Sequence, residues 1–307
     1  MGVFLNGNKL DNPFINGVSH NAFINGNKIW SNNVESCVTF ISEQPRTITP
    51  KYTNAGVTLQ YSLNGKNWIN APHNEPTPTT AKIYFRGQTV GTRALYAGGS
   101  ASSNAWLGLN DINNKCAISG NLNYLICDIL GGEPPTNVGA SCFSYMFSGC
   151  TSIIDAPELP ATTLGSSCYL SLFSQCSLKV TPELPATTLA NNCYQSMFSG
   201  CSLLTSAPEL PATTLNSNCY LSMFSNCISL ISAPELPATT LATTCYQQMF
   251  QNCSSLNYIK VKFTTWSDTL NWVTGVQTTS GQFVCPSTLP DIRGNSNIPN
   301  NWNKISA

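Results

Sequence analysis

The nine residues "CYLSMFSNC" at 219–227 recur along the chain with small changes. They return as "CFSYMFSGC" from 142, "CYLSLFSQC" from 168, "CYQSMFSGC" from 193 and "CYQQMFQNC" from 245. The first cysteines are 26, 25, 26 and 26 residues apart. A tandem period of about 20–29 residues with regularly placed leucine points to a leucine-rich solenoid. The short step is one residue lost within "CSLKVTPELP".

Within each unit the pattern predicts one short helix. Cys219, Tyr220, Met223, Phe224 and Cys227 stand at i, i+1, i+4, i+5 and i+8, a broad helical stripe rather than a strand alternation. Polar pairs precede each copy: Ser166-Ser167, Asn191-Asn192, Ser217-Asn218 and Thr243-Thr244. These are residue types that cap helix N-termini. Gly149, Gln175, Gly200, Asn226 and Asn252 precede the second cysteines, and Gly and Asn there suit a left-handed helix end.

The strand of each unit is expected in "APELP". Proline cannot donate to a strand ladder, so two prolines keep it very short. Leu159, Leu184, Leu210 and Leu236 are expected to point inward, and Glu158, Glu183, Glu209 and Glu235 outward. Parallel strands stack about 4.8 Å apart, so the glutamates form a column of carboxylates on the concave face. That column is the candidate ligand face. The plainer reading is a solvated column that discourages edge pairing.

Two helical cysteines eight residues apart are separated by ~12 Å along the axis. A disulfide needs Cα atoms within about 7 Å, so the pair in one unit cannot bond. Zinc wants four close ligands, and this spacing without nearby histidine does not supply them. Free, buried thiols acting as small hydrophobes are the favoured reading. Disulfides between neighbouring units are the alternative.

"SLLTSAPELPATTLNSNCYLSMFSNC" resembles the Treponema-type (BspA-like) leucine-rich repeat of bacterial surface proteins, over about 137–258. The resemblance implies a curved α/β leucine-rich-repeat solenoid of about five repeats, used for adhesion and partner binding. It implies no catalytic residues and no cofactor. After Cys253 the pattern dissolves, and Trp266, Trp272 and Phe283 are expected to cover the open end. Exposed tryptophans there are also candidates for carbohydrate binding.

Upstream, "VESCVTFIS", "RTITPKY", "VTLQYSL", "AKIYFRG" and "TRALYAG" read as short strands. Asn64-Gly65 is a strong hairpin signal among them. They predict a small, sandwich-like β-domain. The first residues carry a second repeat, "FLNG" at 4 and "FING" at 14 and 23. Three successive strands with tight turns are expected, too few to fold alone. They are expected to pair with another chain, by strand addition or as a homotrimer. "FINGNKIW" resembles N-terminal attachment segments of phage tail and fibre proteins. The candidate anchor residues are Phe4, Asn6, Gly7, Phe14, Asn16, Gly17, Phe23, Asn25, Gly26 and Trp30.

The multidomain reading is therefore an attachment and oligomerisation segment over 1–32 and a β-domain over 33–130. A solenoid follows over 131–258 and a cap over 259–307. Only 9% of residues are charged and the net charge is zero, so nothing draws the chain to nucleic acid or anionic lipid. No apolar run approaches the ~20 residues of a membrane helix, so membrane insertion is not expected. No basic-then-apolar leader is visible at "MGVFLNGNKLDN", which fits release by lysis or prior removal of a leader. The two histidines, His20 and His73, lie in different segments, and no G-x-S-x-G, H-E-x-x-H or P-loop pattern occurs. The expectation is a non-enzymatic virion fibre or decoration protein. Its segment 1–32 would hold a capsid or tail protein, and its repeats a host surface protein or glycan. A bacterial cell-surface adhesin is the alternative.

Overall fold

The computed structural model describes residues 37–50, 58–71, 75–88, 106–107, 109, 113–125, 135–276 and 280–307, together with six short strands between Val3 and Lys28. Among them the one helix is the single 3-10 turn Leu122–Leu125. The helix expected in each repeat is absent, and the backbone hydrogen bonds of 216–227 show what replaces it. Cys219, Leu221, Met223, Ser225 and Cys227 donate locally, to the carbonyls of Asn216, Asn218, Tyr220, Ser222 and Phe224, at 3.1–3.2 Å. Asn218, Tyr220, Ser222, Phe224 and Asn226 donate instead to the next coil, at Thr243, Cys245, Gln247, Met249 and Gln251, over 2.7–3.2 Å. The segment is a ribbon of overlapping three-residue-step turns in which every second N–H is left for a neighbour.

The turns alternate in kind. Asn218, Ser222 and Asn226 have φ of 57°, 54° and 63° and close one set of turns as their third residue. The turns between them have no such residue. A left-handed site therefore returns every four residues, and with it the apolar pair Cys219-Tyr220, Met223-Phe224, Cys227. The same frame holds at Ser167, Ser171 and Gln175, at Asn192 and Ser196 with Gly200, and at Thr244, Gln248 and Asn252. The stripe that read as helical was a period of four, and the polar residues that read as caps and helix ends are its left-handed sites.

Because each ribbon feeds hydrogen bonds to the next, the coils stack like rungs, and the C-terminal part is a β-solenoid-like stack. Like residues fall over like. Phe143, Tyr169, Tyr194, Tyr220 and Tyr246 form one ladder with ring centroids 5.7–6.0 Å apart. Phe147, Phe173, Phe198, Phe224 and Phe250 form a second with the same spacing. Centroids this far apart at near-parallel planes are offset stacks, each worth about 0.5–1.5 kcal/mol beyond its buried area.

The strand side is thinner. Ser232–Leu236 pairs in parallel with Tyr258–Val261, which continues to Gln282–Cys285 and Asn303–Ser306. In earlier coils the pairing at "APELP" shrinks to single bridges, at Glu158 and just before the stretch at Ser206, as the prolines dictate. Leu159, Leu184, Leu210 and Leu236 are nevertheless buried, as expected.

Five antiparallel strands precede the stack, in the order Ile69–Asn70, Thr58–Ser62, Thr80–Gln88, Val38–Arg46, Cys116–Ser119. Asn64-Gly65 does close a hairpin: Ile69 faces Tyr61, Gly65 has φ 71°, and the Asn64 side chain accepts from the Lys66 and Asn67 amides, both 2.9 Å. Apart from a separate two-stranded ladder of Thr49–Pro50 with Trp106–Leu107, the described residues of this region form one main sheet. Its inner face packs on the 3-10 turn and the first coil, with Phe40 6.1 Å from Phe147. Cys116–Ser119 also pairs in parallel with Ile153–Asp155, so sheet and solenoid share one ladder and one continuous core. The stretch 92–98, expected as a strand, lies outside the described residues.

The expected cap over 259–307 carries the rungs onward. Tyr246, Gln248, Phe250 and Asn252 donate to Asp268, Leu270, Trp272 and Thr274 in a further coil. Trp272 stands where earlier coils place methionine or, at Leu172, leucine, and it packs with Trp266 and Phe283 near the C-terminal end, centroids 5.8–6.1 Å apart. At the other terminus each Phe-x-Asn-Gly unit has two strands rather than one: Val3–Leu5 with Asn8–Leu10, Phe14–Ile15 with Val18–Ser19, and Phe23–Ile24 with Asn27–Lys28.

Three outcomes check the ribbon. Far-ultraviolet circular dichroism of the purified protein should lack the helical double minimum. Thr244 is a β-branched residue held at φ 53°, so Thr244→Asn should raise stability by about 1 kcal/mol, measured by denaturant unfolding. Gly200 has φ 77° and a Cβ there would sit 3.1 Å from Gln175 Cγ, so Gly200→Val should lower stability.

Candidate functional site

The glutamate column exists, built by the alternation that buries each neighbouring leucine. Glu158, Glu183, Glu209 and Glu235 are all exposed. Its two ends differ. Glu158 lies at the junction with the sheet, where its N–H donates to Gly120 O at 2.9 Å and its carbonyl accepts from Leu122 N–H at 3.0 Å. Desolvation there pushes its carboxyl above the usual range, and the charge on Glu183 adds to the shift. Glu235 is paired to Lys260 at 2.8 Å and Lys262 at 3.0 Å, whose hydrogen bonds hold its carboxyl low. Lys260 comes from the strand Tyr258–Val261 after the last regular repeat, and Lys262 follows directly on it. The column thus runs from crowded carboxylates to a neutralised end, and offers solvent a row of acceptors one coil apart.

All thirteen described cysteines are buried, and none is joined to another in a disulfide. Ten of them stand in two files, Cys142 to Cys245 and Cys150 to Cys253. The second file explains why cysteine and not alanine fills the position. Cys176, Cys201, Cys227 and Cys253 each donate Sγ–H to the phenylalanine carbonyl of the previous coil, Phe147, Phe173, Phe198 and Phe224, at 3.0–3.1 Å. Those carbonyls also accept the backbone N–H of their own coil's second cysteine at 3.0–3.1 Å. Both lone pairs of a buried carbonyl are thereby used. Burial pushes the Cys150, Cys193, Cys219, Cys227 and Cys245 thiols up to about 12, so they stay protonated and poor nucleophiles. Inter-unit disulfides, the alternative reading, do not occur among them.

Among the described residues no group of three or more His, Cys, Asp or Glu side chains could hold a metal ion. No helix among them is long and apolar enough to cross a membrane. His20 and His73 lie outside the described residues. Of the anchor residues, Phe4, Phe14 and Phe23 fall in the first strand of each N-terminal hairpin. Asn6, Gly7, Asn16, Gly17, Asn25, Gly26 and Trp30 lie outside the described residues.

Two features escaped sequence reading. Val180, Leu203, Ile228 and Ile231 are exposed aliphatics between the second cysteine and the strand of successive coils. Their spacing differs from unit to unit, so no repeat register flags them. The second feature is an open cleft of about 690 Å³ lined by Arg293, Asn300, Asn301, Trp302 and Asn303. Its only trace in the sequence is the density of asparagine in "GNSNIPNNWNK". No family model, curated protein or solved structure matches this chain.

The buried thiols predict that native protein treated with iodoacetamide carries almost no label on the described cysteines, while unfolded protein is labelled throughout; peptide mass spectrometry reads both. For Glu158, a raised carboxyl means the folded state binds the proton more tightly, so ionisation costs stability as pH rises through the folded value. Glu158→Gln should therefore gain stability at neutral pH, with the gain vanishing in acid below the unfolded value. Glu235→Gln should behave oppositely, losing stability at neutral pH and losing nothing once acid has protonated the wild-type carboxyl. Thermal melts across pH read both.

Proposed function

We propose that this chain is a non-enzymatic virion fibre or decoration protein, displaying a solenoid of Treponema-type (BspA-like) leucine-rich repeats that adheres to a host surface protein or glycan. The observation that carries the reading is the pairing of three short Asn-Gly hairpins with a rigid stack of near-identical coils. The hairpins are too small to fold alone and need a partner, which the reading takes to be a capsid or tail protein, or two further copies in a trimer. The stack then repeats its exposed residues one coil apart. Repetition suits weak sites that act together, because linked sites gain effective concentration. Low charge suits the same role, since it leaves recognition to shape and neutral hydrogen bonding. No cofactor enters this role.

A bacterial cell-surface adhesin is the second reading, and the verbatim recurrence of "ELPATTL" favours it. The two part by location. Mass spectrometry of purified particles and of host envelope fractions should find peptides spanning 180–241 stoichiometrically in the particles. Their presence in the envelope alone would establish the adhesin and remove the virion role of residues 1–32.

A further inference from the structure

We propose that the cleft at the C-terminal end of the solenoid is a saccharide subsite for neutral hexose or N-acetylhexosamine units. This assignment rests on the adhesive role proposed above and names one ligand class for it. The cleft, about 690 Å³, is shallow, polar and widely open to solvent, as suits a subsite that touches one face of a sugar rather than a pocket that encloses it. Its walls are fixed before any ligand arrives. A turn closed by Trp302 N–H on Pro299 O at 3.4 Å, with Asn301 at φ 67°, sets one wall. The Trp302 ring is buried against Gly281, where even a Cβ would collide with it at 2.2 Å. Asn303 is tied down by its N–H to Gly281 O at 2.8 Å and by strand pairing with Gln282.

Charge narrows the ligand. Arg293 is the one charged residue lining the cleft, and its guanidinium is spent on Asp291, with Nε to Oδ1 at 2.7 Å and Nη2 to Oδ2 at 3.1 Å. Its Nη1 donates to the Trp302 carbonyl. An acidic ligand therefore meets a cation already neutralised, and a cationic ligand meets no lining carboxylate. What remains are the amides of Asn300, Asn301 and Asn303. Each offers an acceptor and two donors on one plane. Sugar hydroxyls, each donor and acceptor at once and set side by side on a ring, match that array. The buried Trp302 ring is not free to stack on a sugar face, so single-site affinity is expected near the millimolar range, about −4 kcal/mol.

The test uses the full chain and immobilised oligosaccharides of glucose, galactose, mannose and N-acetylglucosamine, with oligogalacturonate as the acidic comparator. At least one neutral oligosaccharide should bind and outbind the acidic one. Asn300→Ala with Asn303→Ala should weaken it by about tenfold, as expected for two lost amide hydrogen bonds, with the melting temperature unchanged. If that pair lowers the melting temperature, the milder Asn300→Ser should still weaken binding measurably. Asp291→Asn, which unmasks Arg293, should move preference toward oligogalacturonate. No binding by any neutral oligosaccharide, wild-type preference for the acidic one, or indifference to Asn300→Ser would overturn the subsite. A host-cell adherence assay separates the two claims. Adherence that soluble neutral sugars and the asparagine changes leave intact sinks the subsite and keeps the adhesive role; sugar binding without adherence keeps the subsite and sinks that role.

Discussion

Everything in the solenoid follows from how its ribbon divides its backbone donors. In residues 216–227 alternate N–H groups close local turns and the rest reach the next coil. An α-helix would use every donor internally and leave stacking to side chains. A strand would send its donors sideways and leave nothing to curl the chain. The ribbon does both, so each coil is curved and also hydrogen-bonded to its neighbours. The condition is a left-handed residue at every fourth position, which is why Ser, Asn, Gly, Gln and Thr crowd those sites and why β-branched Thr244 is the strained exception.

Backbone bonding between coils brings them within one strand spacing, and the interior chemistry is a response to that closeness. Rings can only stack on rings, giving two aromatic ladders. A phenylalanine carbonyl facing inward needs a second donor, and a thiol is small enough to fit between rungs and still supply one. The cost appears at Tyr169 and Tyr220, whose hydroxyls are buried without a hydrogen-bond partner. Burying an unpaired hydroxyl is unfavourable by about 1–3 kcal/mol. Phe143 shows that the ladder does not need the oxygen.

A stack of rungs has two open ends, and this chain closes each differently. At the start, Cys116–Ser119 acts as a rung while belonging to an antiparallel sheet, so the β-region and the solenoid form one core and cannot move independently without breaking it. At the finish, Trp272 takes a methionine's place and donates its indole N–H to Asn297 O at 2.8 Å in the segment that follows. The last strands, Gln282–Cys285 and Asn303–Ser306, continue the ladder, and the polar cleft opens beside them.

The repeat period, the inward leucines, the outward glutamates, the hairpin at Asn64-Gly65 and the closing tryptophans were all legible in the amino-acid sequence. Each depends on local pattern: a residue's spacing, its hydrophobicity, or a dipeptide's turn preference. The helix was misread because a four-residue ribbon and a 3.6-residue helix place apolar pairs on the same positions over two turns. The polar residues that could have separated them suit a helix cap and a left-handed turn equally well. That choice belongs to the neighbours. A donor in residues 216–227 turns outward only because an acceptor waits in the next coil, 25 residues or so along the chain. The same holds for the Glu235–Lys260–Lys262 pairing and for the cleft at Arg293, which join residues that stacking alone makes adjacent. Sequence determined which side chains face in and how often they recur; the tertiary structure decided the backbone that carries them, because half of that backbone's hydrogen bonds are made to another coil.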